Sequence, residues 1–310
     1  MRTAERSDGH TLRDAFLGLW GMARPVVLVS NVMAWILGAS IALGASYAVD
    51  WARLGWGFTA MIAVSASVHY ANEYADHETD ALTERTLFSG GSGVLPKGLV
   101  SRGLAFRAAC VTLALGLTVG SSAVFLGVLP FSALVVLTAG AFGGWMYSLP
   151  PFKLAWRFLG EVTNAFLGGI LLPLHGYITV TGRFDLWVVL ACLPFSFLCF
   201  NNLLAVTWPD RHADAQVGKM TLATLWSEER LRRLYLIVAS ASFAILLLLS
   251  WWIIPFEVAV VSLFSLPHVI DGYATYTKNK VSSSTVYAMM VMMLTQTLTW
   301  IVVGFDITLW

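Results

Sequence analysis

Asn72-Glu73-Tyr74-Ala75-Asp76-His77-Glu78-Thr79-Asp80 closes a long apolar run. Asn72, Asp76 and Asp80 stand at i, i+4 and i+8, a spacing that lines them along one face of a helix. One amide and two carboxylates then sit in a row at the edge of an apolar segment. Such a row suits Mg²⁺, which takes one or two carboxylates together with substrate phosphates. An echo follows in Asp210-Arg211-His212-Ala213-Asp214. What comes after is echoed as well: Glu84-Arg85-Thr86-Leu87 behind the first motif, Gly218-Lys219-Met220-Thr221-Leu222 behind the second. The pattern reads as a weak internal duplication. Two acidic helix ends facing each other would hold a metal-bridged diphosphate, and a lone carboxylate would not.

Acids are expensive in a chain this apolar. Of 310 residues, 57% are hydrophobic and 12% charged, and the mean hydropathy is +0.72. Soluble domains carry about 25% charged residues, so the composition predicts an all-α integral membrane protein. The net charge of +1 offers no basic surface for nucleic acid. Cys110, Cys192 and Cys199 all lie in apolar stretches and read as buried, inert thiols.

A span needs about 20 apolar residues. Nine are predicted, at 24–46, 54–73, 103–125, 128–147, 158–180, 185–206, 231–252, 254–270 and 285–305, behind a polar tail over 1–23. With the N-terminus cytoplasmic, 17 of the 19 basic residues fall on the cytoplasmic side and only Arg53 and Arg183 on the other. Both acidic motifs then face the cytoplasm, where Mg²⁺ and phosphorylated metabolites are found. The same layer holds Arg85, Lys97, Lys153, Arg157 and Lys219, with Arg24 at the mouth of the first span. Arg would grip phosphate bidentately and Lys as a point charge. The plainer account of each is topology, or for Arg24 interfacial anchoring.

Phe88-Ser89-Gly90-Gly91-Ser92-Gly93-Val94-Leu95-Pro96 reads as a flexible loop, either a mobile cover or a linker. It is no P-loop, because no Gly-Lys-Ser/Thr closes it. Tyr147-Ser148-Leu149-Pro150-Pro151-Phe152-Lys153 ends the fourth span, and Pro150 and Pro151 stop the helix. Tyr147 offers a ring to a cation or a hydroxyl to a phosphate. Among polar residues within spans, Asn164 and His69 are expected at a cavity, His175 and Asp271 in structural or interfacial positions.

These motifs together resemble the UbiA superfamily of intramembrane prenyltransferases. The resemblance rests on Asn72-xxx-Asp76-xxx-Asp80, Arg85-Thr86-Leu87-Phe88-Ser89-Gly90-Gly91, Tyr147-Ser148-Leu149-Pro150-Pro151, Trp208-Pro209-Asp210-xxx-Asp214 and Gly218-Lys219-x-Thr221-Leu222. It spans roughly residues 20–305, and leans slightly to the branch that prenylates 1,4-dihydroxy-2-naphthoate. It implies a single transmembrane prenyltransferase domain over 24–310, in the cytoplasmic membrane if the source is prokaryotic. It also implies Mg²⁺ on Asn72, Asp76, Asp80, Asp210 and Asp214, a polyprenyl diphosphate donor gripped by Arg24, Arg85, Lys153, Arg157 and Lys219, and a lipophilic, aromatic acceptor. Metals and cations would stabilise the departing diphosphate, Tyr147 would face the allylic carbocation, and the prenyl tail would lie between helices open to membrane lipids.

One position departs from the family. Its second motif commonly carries Asn four residues before the first Asp, and this chain has Val206 there: either Asn202, one turn further back, compensates, or the second metal has fewer protein ligands, or the substrate differs from the commonest ones. Two competing activities use the same acids. A membrane terpene cyclase would ionise the same donor without an acceptor. A cation-coupled transporter would place its carboxylates near the midplane, whereas these cluster at the cytoplasmic ends.

Overall fold

The computed structural model describes residues 12–86, 88–279 and 283–305. Arg2, Arg6 and Lys280, among the basic residues counted on the cytoplasmic side, and Leu87 of the first motif's echo lie outside the described residues. Within them every regular element is helical: α1 Leu12–Met22, α2 Pro25–Gly44, α3 Trp51–Ala75, α4 His77–Leu82, α5 Arg102–Phe125 and α6 Phe131–Ser148. Then come α7 Gly160–Phe166 and α8 Leu172–Thr181, joined through a π-helical turn at Leu167–Leu171, and α9 Leu186–Val206. The remainder are α10 Arg211–Gln216, α11 Leu222–Leu225, α12 Glu228–Leu249, α13 Phe256–Ser262 with α14 Leu266–Thr275, and α15 Ser283–Gly304.

Long helical rods stand where each of the nine spans was predicted. Seven of them are long and apolar enough to cross a membrane: α2, α5, α6, α9, α12, the α13–α14 rod and α15. The other two are α3, whose last third carries Ser, His, Asn and Glu, and the α7–α8 rod, which the π turn interrupts. The chain is an integral membrane helical bundle. Its large exposed side chains, such as Phe125, Val111 and Phe142, are those that lipid would cover.

The polar tail expected over 1–23 is not wholly a tail. Leu12–Met22 is a helix that exposes Phe16, Leu17 and Trp20 and buries Met22. Tyr70 of α3 donates its hydroxyl to the Leu19 carbonyl at 3.2 Å. The apolar residues there are spaced for a helix lying along a surface, and the charges around them hid that pattern.

Helix starts follow local chemistry. The Asp50 carboxylate accepts from the Ala52 and Arg53 amides at the head of α3, and Ser101 and Ser227 cap α5 and α12. Packing relies on small residues, as expected in lipid. Where α2 crosses α8, Gly38 sits on the Pro173 carbonyl and Gly176 on the Trp35 carbonyl, so a methyl at either would collide with backbone. The main core joins α2, α8, α9, α12, α13 and α15. In α9, 61% of the apolar window is buried against 22% in α5, which makes α9 the central helix.

Polar residues within the spans mostly serve this packing. Trp35 donates to His175 at 2.9 Å with both rings buried, the structural role expected of His175. Asp271 is exposed and accepts from Ser284. Asn164, expected at a cavity, instead donates to the Cys199 carbonyl at 3.2 Å. Cys192 and Cys199 are buried, but Cys110 faces outward from α5, since an apolar position in a membrane helix is as readily lipid-facing as core.

Candidate active site

The first acidic motif is bent, not straight. α3 ends at Ala75, Asp76 takes φ −89° and ψ 8°, and α4 restarts at His77. The ladder survives the bend because helix-type bonds cross it, Asp76 N to Asn72 O at 2.9 Å and Asp80 N to Asp76 O at 2.8 Å. The second motif breaks more sharply. α9 stops at Val206, a turn spans 207–210, and Asp210 leads into α10. Within it the Asp214 amide still reaches the Asp210 carbonyl at 2.8 Å. Asn202 therefore does not share one continuous helical face with Asp210.

α10 packs on α4 and brings the two motifs together. Lys219 bridges them, its Nζ 3.4 Å from Asp214 Oδ1 and 3.8 Å from Asp76 Oδ2. Asp76 is also held by Asn72, whose Nδ2 donates to it at 2.9 Å and to Ser148 at 2.9 Å, and by Trp156, whose Nε1 donates at 3.2 Å. The Trp156 ring carries Lys153 at 4.5 Å and Lys219 at 5.9 Å from its centroid. Its backbone pairs with the Lys219 segment through Met220 N to Trp156 O at 3.2 Å. Tyr147 lies within electrostatic reach of Lys219, Glu161 and Asp76.

The Gly-rich stretch is a folded strap and not a slack linker. Thr86 and Ser89 bond each other through backbone and side chain, and Ser89–Leu95 is mostly buried. Val94 and Leu95 anchor it in a second core with Met22, Tyr70, Ala71 and Ala105. Gly91, at φ +61°, passes so close to Asp80 Oδ2 that a Cβ would collide with it. Ser89 and the Gly90 backbone lie within interaction range of Asp210.

The other predicted cations divide. Arg24 enters the site, its Nε donating to Glu73 Oε1 at 2.6 Å. Lys153 reaches it through Trp156. Arg85 is exposed and runs along Gly90 and Gly93 of the strap, and Arg157 is exposed, its backbone bridged to Met220. His69 bonds the Ala23 carbonyl at 2.6 Å and Asn31 at 3.3 Å, so it braces the α1–α2 junction in place of lining a cavity. Sequence reasoning missed Glu73, Trp156, Ser148 and Ser92. Glu73 stood inside the quoted motif, but nothing local marks its partner, Arg24, on another helix.

Electrostatics sharpen the picture. Burial, and then the charge of Asp76, push the Asp80 carboxyl up to about 7 against the pull of Arg24. Burial and then Asp214 push Asp210 up to about 6, and burial raises Asp214 as well. Burial opposes charging Lys219, yet Asp76, Asp214, Tyr147 and Asp80 outweigh it and raise its pKa. Among the described residues no three His, Cys, Asp or Glu side chains form a ready metal cage. Mg²⁺ does not need one, because it keeps waters and borrows phosphate oxygens. Asp210 Oδ1, Asn202 Oδ1 and both Asp214 oxygens are buried without hydrogen-bond partners, and of these Asp214 Oδ1 faces the Lys219 ammonium at 3.4 Å; the rest cost free energy unless a further cation arrives. The donor set fits Mg²⁺ in that open form. A separate cavity of about 390 Å³, lined by Thr83, Pro209, Arg211, His212 and Lys278, includes none of these acids.

The sequence profile of the UbiA prenyltransferase family matches residues 32–304. The chain belongs to that family. It is therefore an enzyme that transfers prenyl groups. A 1,4-dihydroxy-2-naphthoate octaprenyltransferase of Mycobacterium tuberculosis is 28% identical over 263 residues, 81% of this chain and 85% of that protein. The fold is similar to that of a UbiA homologue from Archaeoglobus fulgidus solved with DMAPP and Mg²⁺, at TM-score 0.70 and 16% identity over 93% of this chain and 98% of that one. The same homologue bound to GPP and Mg²⁺ gives TM-score 0.70 at 17% identity, over 94% and 99% of the two chains. An apo UbiA homologue from Aeropyrum pernix K1 gives 0.65 at 16% identity, over 89% and 97%.

Proposed function

We propose that this prenyltransferase moves a polyprenyl group from an allylic diphosphate to an aromatic acceptor, with Mg²⁺, at the cytoplasmic face. Residues 24–310 act as one unit, with the N-terminus cytoplasmic. The observation that carries the reading is the meeting of both acidic motifs at Lys219. Lysine there is a fixed positive charge between two carboxylates, at the place where a diphosphate bridged to both would need one.

Asn72, Asp76, Asp80, Asp210 and Asp214 would hold Mg²⁺, with Asn202 as an added oxygen. Bound there, Mg²⁺ supplies Lewis-acid neutralisation of the departing diphosphate. The chain's own part is positioning. Asn72 and Trp156 fix the Asp76 carboxylate. Arg24 and Lys219 stabilise negative charge as the allylic C–O bond breaks, with Lys153, Arg85 and Arg157 forming an outer cationic ring. Tyr147 presents its ring to the allylic cation. The acceptor's ring carbon then attacks the cation and loses its proton.

The 28% identical relative makes dihydroxynaphthoate the first acceptor to try. The test is product analysis with a panel of allylic diphosphates, with and without that acceptor, in Mg²⁺ or EDTA. A prenylated aromatic product that requires Mg²⁺ and the acceptor is expected. A cyclised hydrocarbon formed without acceptor would replace transfer by cyclisation.

A further inference from the structure

Glu73 is 1% exposed and lies beside the ladder, not in it. Three donors from two distant segments converge on its carboxylate: Arg24 Nε at 2.6 Å, the Ser92 amide at 2.8 Å and the Ser92 hydroxyl at 2.5 Å. A buried carboxylate so satisfied is rigid, and each donor it holds is rigid with it. Two structures are tied at this one point. Arg24 is the left-handed residue between α1 and α2, with φ 49°, and its Nη2 lies 3.3 Å from where a Cβ on Gly91 would stand. Ser92 is the inner end of the strap whose neighbours reach Asp80 through Gly91 and Asp210 through Ser89 and Gly90.

We propose that Glu73 is a positioning residue for the donor: it aims Arg24 at the diphosphate site and latches the 89–92 strap across both acidic motifs. This rests on the reading of the donor as an allylic diphosphate. The carboxylate neutralises and orients the guanidinium through Nε, so the terminal nitrogens point past Gly91 towards Asp80. Glutamine at 73 keeps the shape but not the charge: its Oε1 can still accept from Arg24 Nε and the Ser92 amide, but the guanidinium loses its counter-ion and the Ser92 hydroxyl must turn from donor to acceptor. Both Arg24 and the strap then loosen together.

Three variants test it in the full-length protein in detergent: Glu73→Gln, Arg24→Gln and the pair. Glu73→Gln is expected to raise the donor KM about tenfold or more while the acceptor KM stays at the wild-type value. The double variant is expected to be no worse than Arg24→Gln alone, since both remove one interaction. Additive losses, or a fall in kcat with unchanged donor KM, would show a merely structural residue and overturn the proposal. A second readout needs no substrate. Arg85 and Lys97 flank the strap, so Glu73→Gln and Ser92→Ala are each expected to speed tryptic cleavage there several-fold. If the wild type turns over no allylic diphosphate, the functional reading fails and cleavage alone decides the latch, with wild-type rates in both variants overturning it.

Discussion

The two acidic motifs resemble each other in sequence and differ in finish. Around the first, protein donors satisfy the oxygens: Asn72 and Trp156 on Asp76, Arg24 and Ser92 on Glu73. Around the second, Asp214 keeps both oxygens without hydrogen-bond partners, with only the Lys219 ammonium 3.4 Å from Oδ1, and Asp210 keeps one. The basic residues of the two echoes part in the same way, since Lys219 is buried in the site and Arg85 is exposed on the strap. The first half is thus the more fully hydrogen-bonded by the protein, while the second keeps unpartnered oxygens beside the Lys219 ammonium.

The sharpest way to break this contrast is Asp76→Ala, which removes the point where Asn72, Trp156 and Lys219 meet. Its kcat/KM is expected to fall by about 10³-fold, in the range of losing a preorganised electrostatic contact, with the circular dichroism of the bundle retained. A fall of only a few-fold in the transfer assay would mean the fuller hydrogen bonding of the first motif does not preorganise it.

Acidity separates ligands from spectators. In the metal-free protein, burial and the neighbouring carboxylates push Asp80 up to about 7 and Asp210 up to about 6. A metal must displace those protons, so Mg²⁺-dependent donor binding is expected to strengthen as pH rises through about 6 to 7 and to level off above about 8. The same raised values mean the metal-free fold binds more protons than the unfolded chain between about pH 4 and 7, so its stability falls as pH rises through that window. Donor affinity that is flat from about pH 5.5 to 8 would remove Asp80 and Asp210 from the metal site.

Trp156→Phe keeps a ring beside Lys153 and Lys219 but deletes the Nε1 donor to Asp76. Activity is expected to drop about tenfold, the cost of one hydrogen bond to a charged group; an unchanged rate would make Trp156 packing only. Val206→Asn is the smallest change, restoring the amide usual in the family. Because the helix breaks after Val206, the new side chain can only partly align with Asp210, and donor KM is expected to fall by about two- to fivefold. A rise would show that Asn202 already fills the place.

Much of this was legible in the chain. Apolar run lengths located every long rod, and the four-residue spacing located the ladder, because both depend on local helix geometry. The bend at Asp76 was not legible, since no Pro or Gly marks it; the break after Val206 had a local signal in Pro209, inside the turn over 207–210. Trp156 and Glu73 were hidden for a different reason: their partners lie on other helices, and only tertiary packing turns a belt tryptophan or a helix-end glutamate into part of a site. The strap misled in the opposite direction. Its glycines suggest slackness, yet Gly91 is there to let backbone pass Asp80. Charge and layer singled out Arg24 and Lys153, which lie beside the acidic motifs, and the same rule swept in Arg157, which is exposed.

The central claim is that both motifs hold one ligand jointly. The most direct measurement is binding of a non-hydrolysable allylic thiolodiphosphate to the wild type, Asp76→Ala, Asp214→Ala and the double variant, in Mg²⁺ and in EDTA. Either single change should abolish Mg²⁺-dependent binding about as fully as both together, because neither half holds the bridge alone. Losses that add, or binding that survives EDTA unchanged, would contradict it.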